Sequence, residues 1–282
     1  MVTADQNSSA KEDALEFTDT RSEDGVTRRS FELNVAGETV PAVIWAPEGA
    51  KGPRPLVLMG HGGSQHKKTP GIRARAAQYA QKFGYATLAI DAPGHGDRIS
   101  REDAASLARD VGARVTGQAP AGWTPERLRQ MAERTSQAVP EWNAALEAAQ
   151  ALDFVGGGGP VGYWGVSMGT AIGVPFVAQC PAITAAVFGL AGLRPDTAMG
   201  EAARRITIPV EFVFQWDDAV ASREHGIALF DAFGSAEKTM HINPGGHMGI
   251  PNFEGASWER FFVRHLGTAA QPVQARQAVA AE

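Results

Sequence analysis

Gly165-Val166-Ser167-Met168-Gly169 sets a hydroxyl between two glycines, behind the apolar run Val161-Gly162-Tyr163-Trp164 and ahead of the small, apolar Thr170-Ala171-Ile172-Gly173-Val174. The pattern predicts a buried strand, a sharp reversal at the serine and a departing helix. Strand and helix approach too closely at such a turn for bulky flanking residues, and glycine meets that need. Ser167 then stands at the positive end of a helix dipole, with the Met168 N–H free to receive a developing oxyanion. That is a seat for a nucleophile.

A serine hydroxyl is a poor nucleophile at neutral pH, so it needs a base within hydrogen-bond reach and an acid that fixes the tautomer of that base. The sequence holds 7 histidines. His247 stands in Pro244-Gly245-Gly246-His247-Met248-Gly249-Ile250-Pro251, just past the last predicted strand, where glycines leave the backbone free to aim an imidazole. His241 falls inside that strand and His265 inside the last helix, positions that suit packing or surface roles. For the acid, Gln215-Trp216-Asp217-Asp218-Ala219-Val220 follows another predicted strand and offers two adjacent carboxylates. Neighbouring side chains point apart, so only one of the two can face the histidine.

These stretches are far apart in the chain, and the elements between them must bring them together. Val26 to Val35 and Thr39 to Trp45 read as an antiparallel hairpin around Ala36-Gly37-Glu38, and Pro41, which cannot donate to a ladder, predicts a sheet edge. Pro55 to Gly60, Tyr85 to Ile90, Ile183 to Leu190 and Ile208 to Gln215 are further strands, several of them continuously apolar, as in a sheet buried on both faces. Lys238 to Asn243 is the last strand. Helices are predicted from Thr69-Pro70 to Phe83, from Ser222 to Phe233 and from Glu254 to Leu266, each followed by glycine. Between Ile99 and Pro140 the alternation pauses. One helical piece is expected after Ser100 and another from Thr124-Pro125, an insertion over residues 99–140 that is a candidate partial lid. Trp142, Leu146, Ala149 and Leu152 mark a separate crossover helix beyond it, and Pro175 predicts a kink in the helix after the serine. A hairpin followed by alternating strands and helices predicts an α/β domain, a mostly parallel sheet that binds ligands at the carboxyl ends of its strands.

With 282 residues, 44% of them hydrophobic, one large domain over 25–267 is expected, between a flexible lead-in (1–24) and a flexible tail (268–282). The net charge of −5 without a basic block argues against nucleic acid or an anionic membrane surface as partner. No apolar stretch approaches the ~20 residues of a membrane span. The single Cys180 fits a reducing compartment, so a cytoplasmic location is expected. His61, His66, Asp91 and His95 lack metal-ligand spacing, and no metal is expected.

Together, His61-Gly62-Gly63, Asp91-Ala92-Pro93-Gly94-His95-Gly96, Tyr163 to Gly169, Asp217-Asp218-Ala219-Val220 and Gly246-His247 resemble, in content and order, the α/β-hydrolase superfamily, and within it the dienelactone-hydrolase-like and small-esterase branch. The resemblance runs from about Val26 to Leu266. It implies an α/β-hydrolase fold with an eight-stranded sheet, helices on both faces and the helical insertion before the serine strand. It also implies cleavage of a small-molecule carboxylic ester through a covalent acyl-enzyme, without a cofactor. Ser167 corresponds to the nucleophile, His247 to the base, and the N–H groups of Met168 and Gly63 to the oxyanion donors. Asp218 matches the usual position of the acid, with Asp217 second. The same machinery acting on an amide, thioester or carbon–carbon bond, or as an acyltransferase, is the alternative, and a non-catalytic small-molecule receptor is a third reading.

Three positions depart from the family pattern. Ser167 stands where dienelactone hydrolases carry cysteine, the stretch from Leu193 to Arg205 is short for a cap, and Gln215 replaces a glycine often found three positions before the acid. The last leaves both Asp217 and Asp218 open. His61, Gln65, Arg98 and Trp216 are candidate substrate contacts near the predicted strand ends, and the oligomeric state is left open.

Overall fold

Alternate side chains of the strand Leu56–Gly60 enter two separate hydrophobic cores, Leu56 and Leu58 on one face of the sheet and Val57 and Met59 on the other. A strand buried on both faces must be apolar at every position, which is why the central strands read as unbroken runs. In the computed structural model, which describes residues 15–101, 103–105, 108–109, 124–193 and 198–269, this is β4 of a nine-stranded sheet. The others are β1 (Phe17–Glu23), β2 (Val26–Val35), β3 (Glu38–Pro47), β5 (Ala86–Ile90), β6 (Val161–Gly165), β7 (Ile183–Gly189), β8 (Val210–Gln215) and β9 (Lys238–Asn243). Their spatial order is β1-β2-β3-β5-β4-β6-β7-β8-β9. The first three strands and the β3–β5 pair are antiparallel; from β5 to β9 every pair is parallel.

The helices divide by face. Ile72, Ala76, Tyr79 and Ala80 of α1 (Pro70–Phe83) share one core with Trp258, Phe262 and Leu266 of α6 (Phe253–Leu266). The opposite core takes side chains from α2 (Pro125–Gln150), α3 (Met168–Val177), α4 (Ala198–Arg205) and α5 (Arg223–Ala232). The chain leaves β4 by α1 to reach β5, then returns across the sheet by α2 to β6 on the other side of β4. This reversal opens a crevice at the carboxyl ends of β4 and β6, where an α/β sheet binds its ligand. No helix among the described residues is long and apolar enough to cross a membrane.

Four expectations need correction. The sheet has nine strands, not eight, because residues 17–23 of the expected lead-in form β1. Phe17 packs edge-on against Phe31 at 6.1 Å, and Arg28 reaches Asp19 at 2.6 Å, so an aromatic contact and an ion pair add to the backbone ladder that holds the polar strand on β2. The β2–β3 hairpin is therefore interior rather than at the edge. Pro41 is tolerated there because its carbonyl accepts the Asp91 N–H at 3.0 Å, just beyond the Ala42–Trp45 ladder to β5. In a strand a residue's nitrogen and carbonyl face the same side, so the missing N–H falls where that ladder has ended.

The helix expected to start at Thr124-Pro125 and the crossover helix marked by Trp142 are one element, α2, with Pro140 inside it. Pro140 is exposed, as is Ser136, so the carbonyl that loses its intrahelical partner lies on the solvent side of the helix rather than in the core. Buried Ala138, Trp142, Ala145 and Ala149 hold the helix on both sides of the proline. Residues 101, 103–105 and 108–109 are helical as well, whereas 110–123, the centre of the candidate lid, lie outside the described residues. So do 1–14 of the lead-in and 270–282 of the tail.

Candidate active site

The chain reverses at Ser167 with φ 59° and ψ −117°, a conformation that costs a non-glycine residue ~1–3 kcal/mol. The surroundings enforce it. The Ser167 N–H donates to the Gly189 carbonyl at 2.8 Å, and the Thr170 hydroxyl lies 2.8 and 2.6 Å from the carbonyls of Gly165 and Gly189. A Cβ on Gly169 would fall 2.5 Å from the Gly60 carbonyl oxygen, and one on Gly165 would fall 2.8 Å from that of Gly169. Strand and helix thus meet only because both flanking residues lack side chains. Tyr163 completes the seat from below, donating its hydroxyl to the Gly169 carbonyl at 2.7 Å.

Ser167 Oγ lies 2.9 Å from His247 Nε2, and His247 Nδ1 lies 2.7 Å from Asp218 Oδ2. The Asp218 side chain is fully buried, and its Oδ1 accepts the N–H groups of Val220 and Ala221 at 2.7 and 3.0 Å. Asp217 is exposed, and its carboxylate accepts the Gly245 N–H at 3.2 Å without reaching the imidazole. A hydroxyl, an imidazole and a carboxylate from the ends of β6, β9 and β8 therefore stand in line. Met168 occupies the first helical position, so its N–H has no carbonyl to meet within α3. In the loop after β4, the Gly62 N–H is taken by Gln65 Oε1 at 3.3 Å, and the Gly63 N–H has no acceptor among the described residues.

No protein-family model matches this sequence, and a search of curated proteins finds no match either. Among solved structures, a cold-adapted esterase from an Arctic intertidal metagenomic library, in a PEG-bound complex, has a TM-score of 0.74 and 32% sequence identity, covering 89% of this chain and all of that one. The chain belongs to the α/β-hydrolase family. It is an esterase-type enzyme of that family. An acetyl xylan esterase from Paenibacillus sp. R4 (TM-score 0.67, 16% identity, 89% of this chain and 88% of that one) shares the fold. So does a dienelactone hydrolase from Anabaena variabilis (TM-score 0.59, 19% identity, 86% of this chain and 99% of that one).

Two of the four candidate substrate contacts in this α/β-hydrolase are buried and engaged elsewhere. His61 is 2% exposed, its Nε2 accepts the Ala92 N–H at 3.0 Å, and its Nδ1–H donates to the Gly62 carbonyl at 2.9 Å. Arg98 forms a two-pronged pair with Glu141 at 2.7 and 2.8 Å and also donates to the Asp91 carbonyl. Their bonds tie neighbouring segments together, His61 holding the loop after β4 to Ala92 and Arg98 holding the segment after β5 to α2. Gln65 is half-buried and braces Gly62, while Trp216 is 50% exposed, with the Arg223 guanidinium 4.2 Å above its ring.

Burial drives the His61 imidazole down to about 4 from its ordinary 6.5. The folded state then refuses a proton that the unfolded chain accepts, so the stability is complete above the ordinary pKa and is lost as pH falls toward the folded one. Between pH 7 and about 5 this site is expected to remove ~2 kcal/mol of unfolding free energy. Urea midpoints of the wild type and His61→Gln across that range measure it, and the variant should show the shallower slope.

Gln215, in the sequence only a departure from the family pattern, is a further residue of the site. It is fully buried, and its amide donates to the Pro244 carbonyl at 3.3 Å, tying the strand before the acid to the loop that carries His247. A glutamine ending the run Phe212-Val213-Phe214, directly before the candidate carboxylates, is the signal that marks it.

Proposed function

We propose that this esterase hydrolyses a small-molecule carboxylic ester through Ser167, His247 and Asp218, by way of a covalent acyl-enzyme. The observation that carries the reading is the unbroken line of hydrogen bonds at 2.9 and 2.7 Å from the Ser167 hydroxyl through the imidazole to a buried carboxylate. Ser167 Oγ attacks the ester carbonyl carbon while His247 Nε2 takes its proton, and Asp218 stabilises the imidazolium that results. The carbonyl electrons move onto oxygen, where the N–H groups of Met168 and Gly63 receive them; one such donor is worth about 3 kcal/mol of barrier. Collapse expels the alcohol, protonated by His247, and a water activated by the same imidazole releases the acid. The esterase character of the 32%-identical relative supports an ester as the bond. The one cysteine, buried and unpaired, supports a cytoplasmic setting.

A fluorophosphonate separates this reading from a binding protein without turnover. The wild type is expected to take up one equivalent, localised to Ser167 by peptide mapping, and Ser167→Ala none. Short p-nitrophenyl esters should be turned over by the labelled-competent enzyme only. Ester turnover at background beside efficient cleavage of an amide or a diketone would move the bond assignment away from esters.

A further inference from the structure

Behind the loop that carries His247, three ligating side chains meet from three elements: Glu211 on β8, His241 on β9 and Glu254 in the first turn of α6. One oxygen of each carboxylate and one imidazole nitrogen all lie within 4.8 Å of one another. Both glutamates are deeply buried, at 5% and 2% exposure, whereas the His241 side chain remains 31% exposed. His241 Nδ1 is 2.8 Å from Glu254 Oε2, and the other oxygen of Glu254 accepts the Asn243 amide at 2.8 Å. Glu211 Oε1 has no hydrogen-bond partner, and it lies 3.9 Å from His241 Nδ1, beyond hydrogen-bond reach.

A proton shared between His241 and Glu254 satisfies that pair and leaves the Glu211 oxygen stranded. Burying an unpaired carboxylate oxygen is costly, so the cluster lacks a positive centre that touches all three donors at once. A divalent ion supplies one. Two carboxylates and one neutral imidazole form a donor set suited to zinc, the exposed side of His241 leaves a fourth position open to water, and Asn243 orients Glu254 as an outer partner.

We propose that Glu211, His241 and Glu254 form a zinc-class divalent cation site that joins β8 and β9 to the start of α6. His241 and Asn243 precede the His247 loop and Glu254 follows it, so the ion would tie both ends of that loop together. The sequence offers no spacing motif for the site because its ligands come from separate elements.

Calorimetric titration of Zn²⁺ alone into the dialysed full-length protein tests this. One ion per chain is expected, with an accompanying rise in Tm. Outer partners of a metal ligand are worth 10–100-fold in affinity, so loss of a ligand in Glu211→Gln or His241→Ala should weaken binding by ~100-fold or more. His247→Ala should bind as the wild type does. Histidine side-chain NMR of the unmutated protein gives a second readout: zinc should shift His241 Nδ1 and leave His247 in place. Absence of binding, binding unchanged in Glu211→Gln, or a zinc shift confined to His247 would each overturn the site.

Discussion

Asp218→Asn is expected to lower kcat on a short p-nitrophenyl ester by about 10⁴-fold, while Asp217→Ala changes it by less than about tenfold. The asparagine keeps the shape of the site, and its carbonyl oxygen still accepts the Val220 and Ala221 N–H groups, so the loop stays folded. Its amide nitrogen, however, now faces His247 Nδ1 as a donor where the carboxylate accepts at 2.7 Å. The imidazole must then carry its proton on Nε2, the atom 2.9 Å from Ser167 Oγ, and can no longer take the hydroxyl proton. Asp217→Ala loses only a 3.2 Å bond to the Gly245 N–H in an exposed position. A large loss of kcat in Asp217→Ala beside a near-normal Asp218→Asn would exchange the two roles, provided that both variants unfold at wild-type urea concentrations.

The choice between these neighbours marks where the sequence stops being informative. Hydrophobic runs and glycines outline the strands and turns because burial on both faces and a tight reversal leave few other residue types. They do not say which of two consecutive carboxylates turns inward after Gln215, since that depends on the local turn, in which the Asp218 N–H bonds back to the Gln215 carbonyl. β1 escapes notice because only Phe17 anchors its apolar side. Yet Asp24-Gly25, with φ 50° and 74°, is a two-residue hairpin signal that would have predicted it. His61 and Arg98 look from the sequence like surface groups at strand ends; burial and pairing are properties of the packed loops, invisible in a list of residues.

Loop packing also underlies the second large effect. Lys67→Met is expected to destabilise the protein by about 3–5 kcal/mol in urea unfolding. Lys67 Nζ lies 2.6 Å from Asp91 Oδ2 and 2.5 Å from Asp97 Oδ2, with 4% of the lysine side chain and none of the Asp91 side chain exposed. Methionine fills the space of the stem but removes the cation, leaving the Asp91 carboxylate buried with only the backbone N–H groups of Lys67 and Asp97. The companion variant Asp97→Ala removes a partner that is 71% exposed, and water and salt already screen that pair, so a loss below about 1 kcal/mol is expected. The same ammonium thus makes one costly and one cheap contact, and exposure alone decides which. Adding Asp91→Asn to Lys67→Met removes the stranded charge and should recover part of the stability, a non-additivity expected of groups in direct contact. Since Lys67 lies between Gly63 and the first turn of α1, the single variant should also lower kcat wherever the loop loses its anchor. A Lys67→Met protein within about 1 kcal/mol of wild type would mean that the two backbone donors suffice for Asp91, and that the buried lysine is dispensable to the loop.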